Sequence, residues 1–362
     1  VNLFDISLYK DYVDKSIKNI VGVETLKDKS ILITGSTGLI CSTVIDQLII
    51  LNKNHQFGVK IYACARSEEG LKRRFGNYVD DENIIYVPYD ANKDIDFNFT
   101  VDYIIHGASN ASPDLYISNP VDTMLSNFLG MKNLLDYALK KSVSSIVYVS
   151  SSEVYGKTEN HTPYQEDEYG YVNILDVRAS YSSSKRATET LCKSYSEQYD
   201  VSIKIVRPGH IYGPSLKITD KRISSAFMYD AIRGQNLVMK SKGEQLRSYC
   251  HSLDCASAIL TVLLKGQSGD AYNISNKKSI ISIREMASII AEVAGVELLF
   301  ELPNEVEEKQ KNPMDNSSLD STKLEKLGWV GMFEAKEGLE STYKILDISK
   351  IQKISKNICN ID

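Results

Sequence analysis

Tyr181-Ser182-Ser183-Ser184-Lys185 sets a phenol and an ammonium four residues apart, on one face if the segment is helical. A lysine charge beside a phenol favours phenolate, so the pair could take an alcohol proton while hydride leaves the same carbon. Spacing alone does not select it. Among 22 tyrosines the pattern recurs at Tyr89/Lys93 and Tyr137/Lys141. The first lies among the turn residues Asp90 and Asn92, and the second closes a helix, where lysine suits the negative end of the dipole. Only Tyr181 follows a strand ending in hydroxyls, Ser150-Ser151-Ser152, and then Glu153. The carboxyl ends of parallel strands line the ligand crevice of such sheets, and this context selects Tyr181.

A second constellation, Thr34-Gly35-Ser36-Thr37-Gly38-Leu39-Ile40-Cys41, follows an apolar run and opens a helical pattern. Two glycines there permit a tight turn and let backbone N–H groups approach a pyrophosphate at a helix N-terminus. Cys41 stands where a third glycine is expected for close helix–strand packing. A carboxylate closing the next strand would bind the ribose 2′-hydroxyl of NAD, but that strand ends Ala63-Cys64-Ala65-Arg66-Ser67. Arg66 and Ser67, helped by Arg73 or Arg74, suit a 2′-phosphate instead. The cofactor is therefore read as NAD(P), leaning to NADP; a solvated surface charge is the plain alternative for Arg66.

Elements must hold these groups together. Apolar runs at 30–34, 59–64, 84–87, 101–105, 145–149 and 201–206 alternate with helical segments, chiefly 38–51, 120–140 and 180–199. This predicts an α/β fold, a Rossmann-type doubly wound parallel sheet, with a smaller C-terminal α+β substrate-binding domain. Expected boundaries are an N-terminal helical arm at 1–28 and a dinucleotide-binding domain at 29–207, to which segments of 245–275 can return. A mainly substrate-binding domain at 208–345 and a loosely attached polar tail at 346–362 follow. Within the third part, 283–294 reads as an amphipathic helix closed by Gly295.

Taken in order, the motifs resemble the extended short-chain dehydrogenase/reductase family, the nucleotide-sugar epimerases, dehydratases and decarboxylases. The resemblance spans roughly residues 29 to 345. Besides the glycine turn it rests on Ile105-His106-Gly107-Ala108-Ser109, Asn127-Phe128-Leu129-Gly130 and Ser150-Ser151-Ser152-Glu153-Val154-Tyr155-Gly156. Tyr181 with Lys185, Val206-Arg207-Pro208, Tyr212-Gly213-Pro214, Arg247, Leu253-Asp254 and Lys326-Leu327-Gly328-Trp329 complete it. It implies that Gly35, Ser36, Thr37, Gly38, Leu39, Ile40, Arg66 and Ser67 face the cofactor. Asp90, Ala91, Ala108, Ser109, Asn127 and Pro208 join them, with Tyr181 and Lys185. Tyr181 matches the catalytic base, Ser151 the hydroxyl that binds the sugar oxygen, and Glu153 the acid of dehydratases and decarboxylases. Ser152, Arg178, His210 and Arg247 fall on the substrate side, Arg247 against a nucleotide diphosphate and Arg178 as in the decarboxylases. Gly209-His210 departs from the family's usual asparagine, and Ser152 stands where one dehydratase branch has an aspartate.

The implied activity is transient oxidation at C4 of a nucleoside-diphosphate sugar, leading to epimerisation, dehydration or decarboxylation. A net NADPH-dependent reductase of a keto sugar is the alternative, and a non-catalytic nucleotide-binding scaffold the remote one. Plainer readings remain for single residues: Glu153 could cap the turn before Tyr155, Arg178 could be a surface charge, and His106 reads as a structural histidine. His251 is left open.

Composition bounds the partners. A net charge of -5 and a pI of about 5.7 give no basic footprint for nucleic acid. Six cysteines form no CxxC pair and no Cys/His cluster with zinc spacing, so no metal site is expected and a reducing cytoplasm is the simpler setting. The opening Val1-Asn2-Leu3-Phe4-Asp5 has no basic stretch before an apolar one, and the most apolar helix candidate, 38–51, is too short for a bilayer. Neither a secretory signal nor a membrane span is expected. Relatives commonly pair through helices, which makes a homodimer possible.

Overall fold

The structure is a computed structural model that describes residues 2–158, 163–303 and 316–358. Seven strands build one parallel sheet: β1 (Ser30–Thr34), β2 (Lys60–Ala65), β3 (Ile84–Pro88), β4 (Tyr103–His106), β5 (Ser145–Val149), β6 (Ile203–Pro208) and β10 (Ala271–Ile274). Their spatial order is β3-β2-β1-β4-β5-β6-β10, so the direction of winding reverses beside β1. Every pairing is parallel. The expected Rossmann-type sheet is present, and its switch point faces the crevice where such folds bind ligands.

Strand β1 explains why both faces are covered. Ile31 and Ile33 enter one apolar core and Leu32 the opposite one, all fully buried, because successive side chains alternate across a sheet. The first core is closed by α2 (Leu39–His55) and α8 (Ser252–Lys265), the second by α5 (Pro120–Lys141) and α6 (Ala179–Tyr199). The expected arm is α1 (Ser7–Ile17), which packs on α2 and α8. Its buried Tyr9 donates to Asp46 of α2, and Arg74 of α3 (Glu68–Phe75) also grips Asp46.

After β6 the chain builds a smaller layer. At its centre is β9 (Leu246–His251), flanked by β7 (His210–Tyr212), β11 (Ile280–Ser282) and the two-residue β13 (Asn316–Ser317). The helices α7 (Ile223–Ile232) and α9 (Ile283–Ala294) share its apolar core. Of the returning segment 245–275, α8 and β10 rejoin the large layer, whereas β9 stays with the small one. A last helix, Ala335–Ile358, runs through position 346, where the tail was expected to begin. None of the described helices is long and apolar enough to cross a membrane. Five of the six cysteines are buried and free, and Cys359 lies outside the described residues.

Candidate active site

The turn after β1 has the form the sequence predicts. Gly35 sits at φ +72°, and a Cβ there would lie 2.8 Å from the Gly107 carbonyl oxygen. Gly38 is the N-cap of α2 and offers no side-chain cap, which leaves the helix N-terminus to an incoming anion. The buried Ser36 hydroxyl donates to the Ile33 carbonyl at 2.7 Å and braces the turn, while Thr37 approaches Gly70 of α3. Cys41 is tolerated in place of a third glycine because its neighbour lacks a side chain: a Cβ on Gly107 would collide with the Cys41 Sγ.

Around that turn the remaining cofactor-side residues gather at strand ends. Arg66 projects exposed from the tip of β2, and the Ser67 Oγ caps α3 by accepting from the Gly70 N–H at 3.2 Å. Asp90, which turns its own chain by accepting from the Asn92 N–H, borders with Arg66 a hollow of about 670 Å³ beside β3. Ala91 lies against Gly130 of α5, where a Cβ would come within 2.9 Å. Ala108 follows the end of β4, its N–H bonded to the Thr34 hydroxyl at 3.2 Å. The buried Ser109 Oγ and Asn127 Oδ1 have no partner among the described residues. Buried polar atoms rarely stay unpaired, so these orphans and the crowded glycine cradle fit a polar dinucleotide.

Two residues one turn apart on α6 reach the end of β5. Tyr181, 7 % exposed, hydrogen-bonds with the Ser151 hydroxyl. The buried Lys185 donates its Nζ to the Val149 carbonyl at 2.8 Å and lies 5.7 Å from the Tyr181 ring. Tyr116 of α4 (Pro113–Ser118) stacks on Tyr181, with ring centroids 5.1 Å apart. Asn127 donates to the Ser184 hydroxyl at 3.0 Å and ties α5 to the same helix.

One expectation is corrected here. The ammonium does not depress the Tyr181 phenol: burial and the Glu153 carboxylate push it up to about 12, against the Ser151 hydrogen bond and Arg222. Lys185 yields instead, brought down to about 7 by burial despite the opposing field of Glu189. In so dry a setting, desolvation outweighs a charge held several ångströms away.

Glu153 follows Ser151 in a short 3-10 turn, Ser152–Tyr155, in which the Ser151 Oγ accepts from the Glu153 N–H at 3.2 Å. Arg178 lies 3.7 Å from the Glu153 carboxylate. Burial raises that carboxyl above its usual range, although Arg178 and Arg247 both pull it down. Across from it, β7 and β9 present His210 and Arg247, and Arg222 enters just before α7. A cleft of about 420 Å³ is bounded by Glu153, Arg178, His210, Arg222 and Arg247. A smaller hollow of about 130 Å³ joins Ser151, Ser152, Tyr181 and Pro208 to His210 and Arg222.

His210 is held neutral, its imidazole lowered to about 3 by burial and by Arg247 and Arg222. The His210 Nδ1, Ser317 Oγ and Gln245 Oε1 are buried around this cleft without partners among the described residues. The fold thus brings the glycine turn, the strand-end serines, Tyr181, Lys185, Glu153, Arg178, His210 and Arg247 to one side of the sheet. Arg222, Ser317 and Gln245 were not singled out in the sequence, because no motif spacing marks them.

Comparison with known proteins agrees with this geometry. Residues 31–275 match the family described as the NAD dependent epimerase/dehydratase family. UDP-glucuronic acid decarboxylase 1 of Xenopus tropicalis is 31% identical over 317 residues, covering 87% of this chain and 71% of the relative. UDP-glucuronic acid decarboxylase 3 of Arabidopsis thaliana is 32% identical over 309 residues, 85% of this chain and 86% of the relative. Among solved structures, a dTDP-glucose 4,6-dehydratase from Streptomyces venezuelae with NAD bound superimposes with a TM-score of 0.75 at 22% identity, covering 89% of this chain and 98% of that one. This chain belongs to the NAD dependent epimerase/dehydratase family and is an enzyme of its nucleotide-sugar-modifying kind.

Proposed function

We propose that the enzyme oxidises a nucleoside-diphosphate sugar transiently at C4, with no net consumption of dinucleotide, and that a uronate losing CO2 is its leading substrate class. The observation that carries this reading is the convergence of Tyr181, Ser151 and Glu153 on a hollow that shares Glu153, His210 and Arg222 with the cleft lined by Arg178 and Arg247. When bound, the nicotinamide ring supplies the hydride acceptor. In its phenolate form Tyr181 receives the C4 hydroxyl proton on its Oη, and Ser151 holds the same sugar oxygen. Lys185 keeps positive charge one helical turn away. A ketone at C4 weakens the bonds at C5, so a C6 carboxylate can leave as CO2 and the resulting enolate takes up a proton; the hydride and the proton taken from C4 are then restored there, which balances the oxidation.

Two features favour the uronate. Relatives 31% and 32% identical include UDP-glucuronic acid decarboxylases, and the cleft offers three guanidinium groups to a substrate carrying a pyrophosphate and a carboxylate. Arg247 suits the diphosphate, Arg178 orients Glu153, and Ser152 and the neutral His210 contact the sugar. The test is incubation with uronates and neutral sugars linked to UDP, GDP, CDP and dTDP in deuterated water. Release of CO2 from a uronate, with deuterium at C5 and no loss of NADPH, is expected. Stoichiometric NADPH consumption would replace this reading with the keto-sugar reductase.

For the cofactor we favour NADP. Burial, and after it the charges of Arg66 and Arg73, lower the Lys217 ammonium, and Arg66 itself stands at the β2 tip, where NAD binding would call for a carboxylate. The dinucleotide released from the purified protein decides this. A cytoplasmic setting, where thiols stay reduced, suits the five free cysteines.

A homodimer is proposed from α5. Val121, Met124, Leu125, Phe128 and Leu129 are exposed at helical spacing on the face turned from the core. Light scattering should give twice the chain mass, and Leu125→Glu should halve it. A single-chain mass for the parent protein contradicts the pairing.

A further inference from the structure

Beyond Tyr181 and Lys185, the same face of α6 carries Glu189, a further turn along. The Ser150 hydroxyl donates to the Glu189 Oε1 at 2.5 Å. Val149, Ser150 and Ser151 are thus each bonded to α6, through Lys185, Glu189 and Tyr181 respectively. Glu189 is in turn clamped by Arg207 of β6, whose Nε and Nη2 donate to its two oxygens at 3.1 and 2.7 Å. Arg207 is 1 % exposed, and its other N–H groups reach the Tyr155 hydroxyl, the Glu166 carbonyl and the Tyr169 hydroxyl. A buried ion pair costs desolvation on both sides and is weak evidence of stabilisation by itself. Here the pair joins the catalytic helix to β6, the strand beside the β5 end that the helix serves.

We propose that Glu189, held by Arg207, is a positioning residue of the active site, fixing the serine run through Ser150 and keeping Lys185 charged. The inference rests on the Tyr181/Lys185 reading above. The groups facing Lys185 leave Glu189 as the source of negative charge. Along α6 these are Tyr181, Glu189 and Cys192; from β5 Tyr148, whose ring lies 4.7 Å from the ammonium; from β4 His106; and from α2 Cys41. Burial holds His106 neutral, lowered to about 3, and keeps the Cys41 thiol protonated, raised to about 12. The Cys192 thiol and Tyr148 phenol are pushed well above their ordinary values. Glu189 is therefore the carboxylate whose field opposes the desolvation of Lys185.

The test is the pH dependence of dinucleotide affinity, by calorimetry, beside that of kcat. Loss of the Lys185 ammonium sets the alkaline limb of the affinity profile. Glu189→Gln keeps the shape and removes the charge, so that limb should move down by about one pH unit, a roughly tenfold change in the protonation ratio. Glu189→Asp, which restores the charge, should return it to the parent position. Should the stranded Arg207 charge unfold the single variant, Glu189→Gln with Arg207→Met removes both charges and carries the same measurement. A folded variant lacking the carboxylate whose alkaline limb coincides with the parent's overturns the proposal, however far kcat falls. Binding is read without turnover, so failure of Tyr181 as the base, seen in Tyr181→Phe, is a separate result.

Discussion

Tyr181→Phe should lower kcat by about a thousandfold, within the 10²–10⁴ range of a lost general base, while dinucleotide affinity stays within about twofold. The substitution is nearly isosteric. Tyr116 still has a ring to stack on, and the site is already 7 % exposed, so no new cavity opens. What disappears is the oxygen bonded to Ser151, the acceptor for the C4 proton. Of the residues proposed to face the dinucleotide, the Gly35–Gly38 turn and Lys185 keep all their groups in the variant, and only the Tyr181 hydroxyl is lost. Because burial and Glu153 hold the phenol near 12, the parent reaction should accelerate as pH rises from the acid side. Tyr181→Phe should have no such limb. Steady-state rates and calorimetry check both parts, and full activity in the variant removes Tyr181 from its role.

Gly35→Ala should weaken dinucleotide binding by about a hundredfold or more, equivalent to roughly 2.7 kcal/mol. Two penalties combine. At φ +72° an L side chain is disfavoured, by about 1–2 kcal/mol. The new Cβ would also lie 2.8, 2.9 and 3.0 Å from the Gly107 oxygen, the Gly107 carbon and the Ala108 nitrogen, all backbone atoms that have little room to yield. Relief requires β1 and β4 to part at the phosphate turn. Gly234 supplies the control: its φ is +74°, yet a Cβ there meets nothing within 4 Å. Gly234→Ala should carry the conformational penalty alone and leave dinucleotide binding unchanged. Equal affinities for parent and Gly35→Ala would contradict the cradle.

Local chemistry made much of this legible before any coordinates. Apolar runs punctuated by glycine marked the strands, and Tyr181 emerged because a strand ending in hydroxyls precedes it. Sequence spacing could not reveal pairs closed by topology. Glu189 and Arg207 lie 18 residues apart on separate elements, and neither looks unusual until α6 and β6 cross. Arg222, Gln245 and Ser317 converge from three distant segments. The error over the Tyr181 phenol has a different origin. Counting neighbouring charges ignores desolvation, and in this cleft burial is the larger influence on both Tyr181 and Lys185.

The central assignment is hydrogen transfer at one carbinol opposite Tyr181, and a nucleotide sugar carrying deuterium at C4 tests it most directly. Turnover should slow relative to the protiated substrate, and the deuterium should stay in the product sugar. Equal rates for the two substrates, with product formed by chemistry that leaves the C4–D bond intact throughout, would contradict the account.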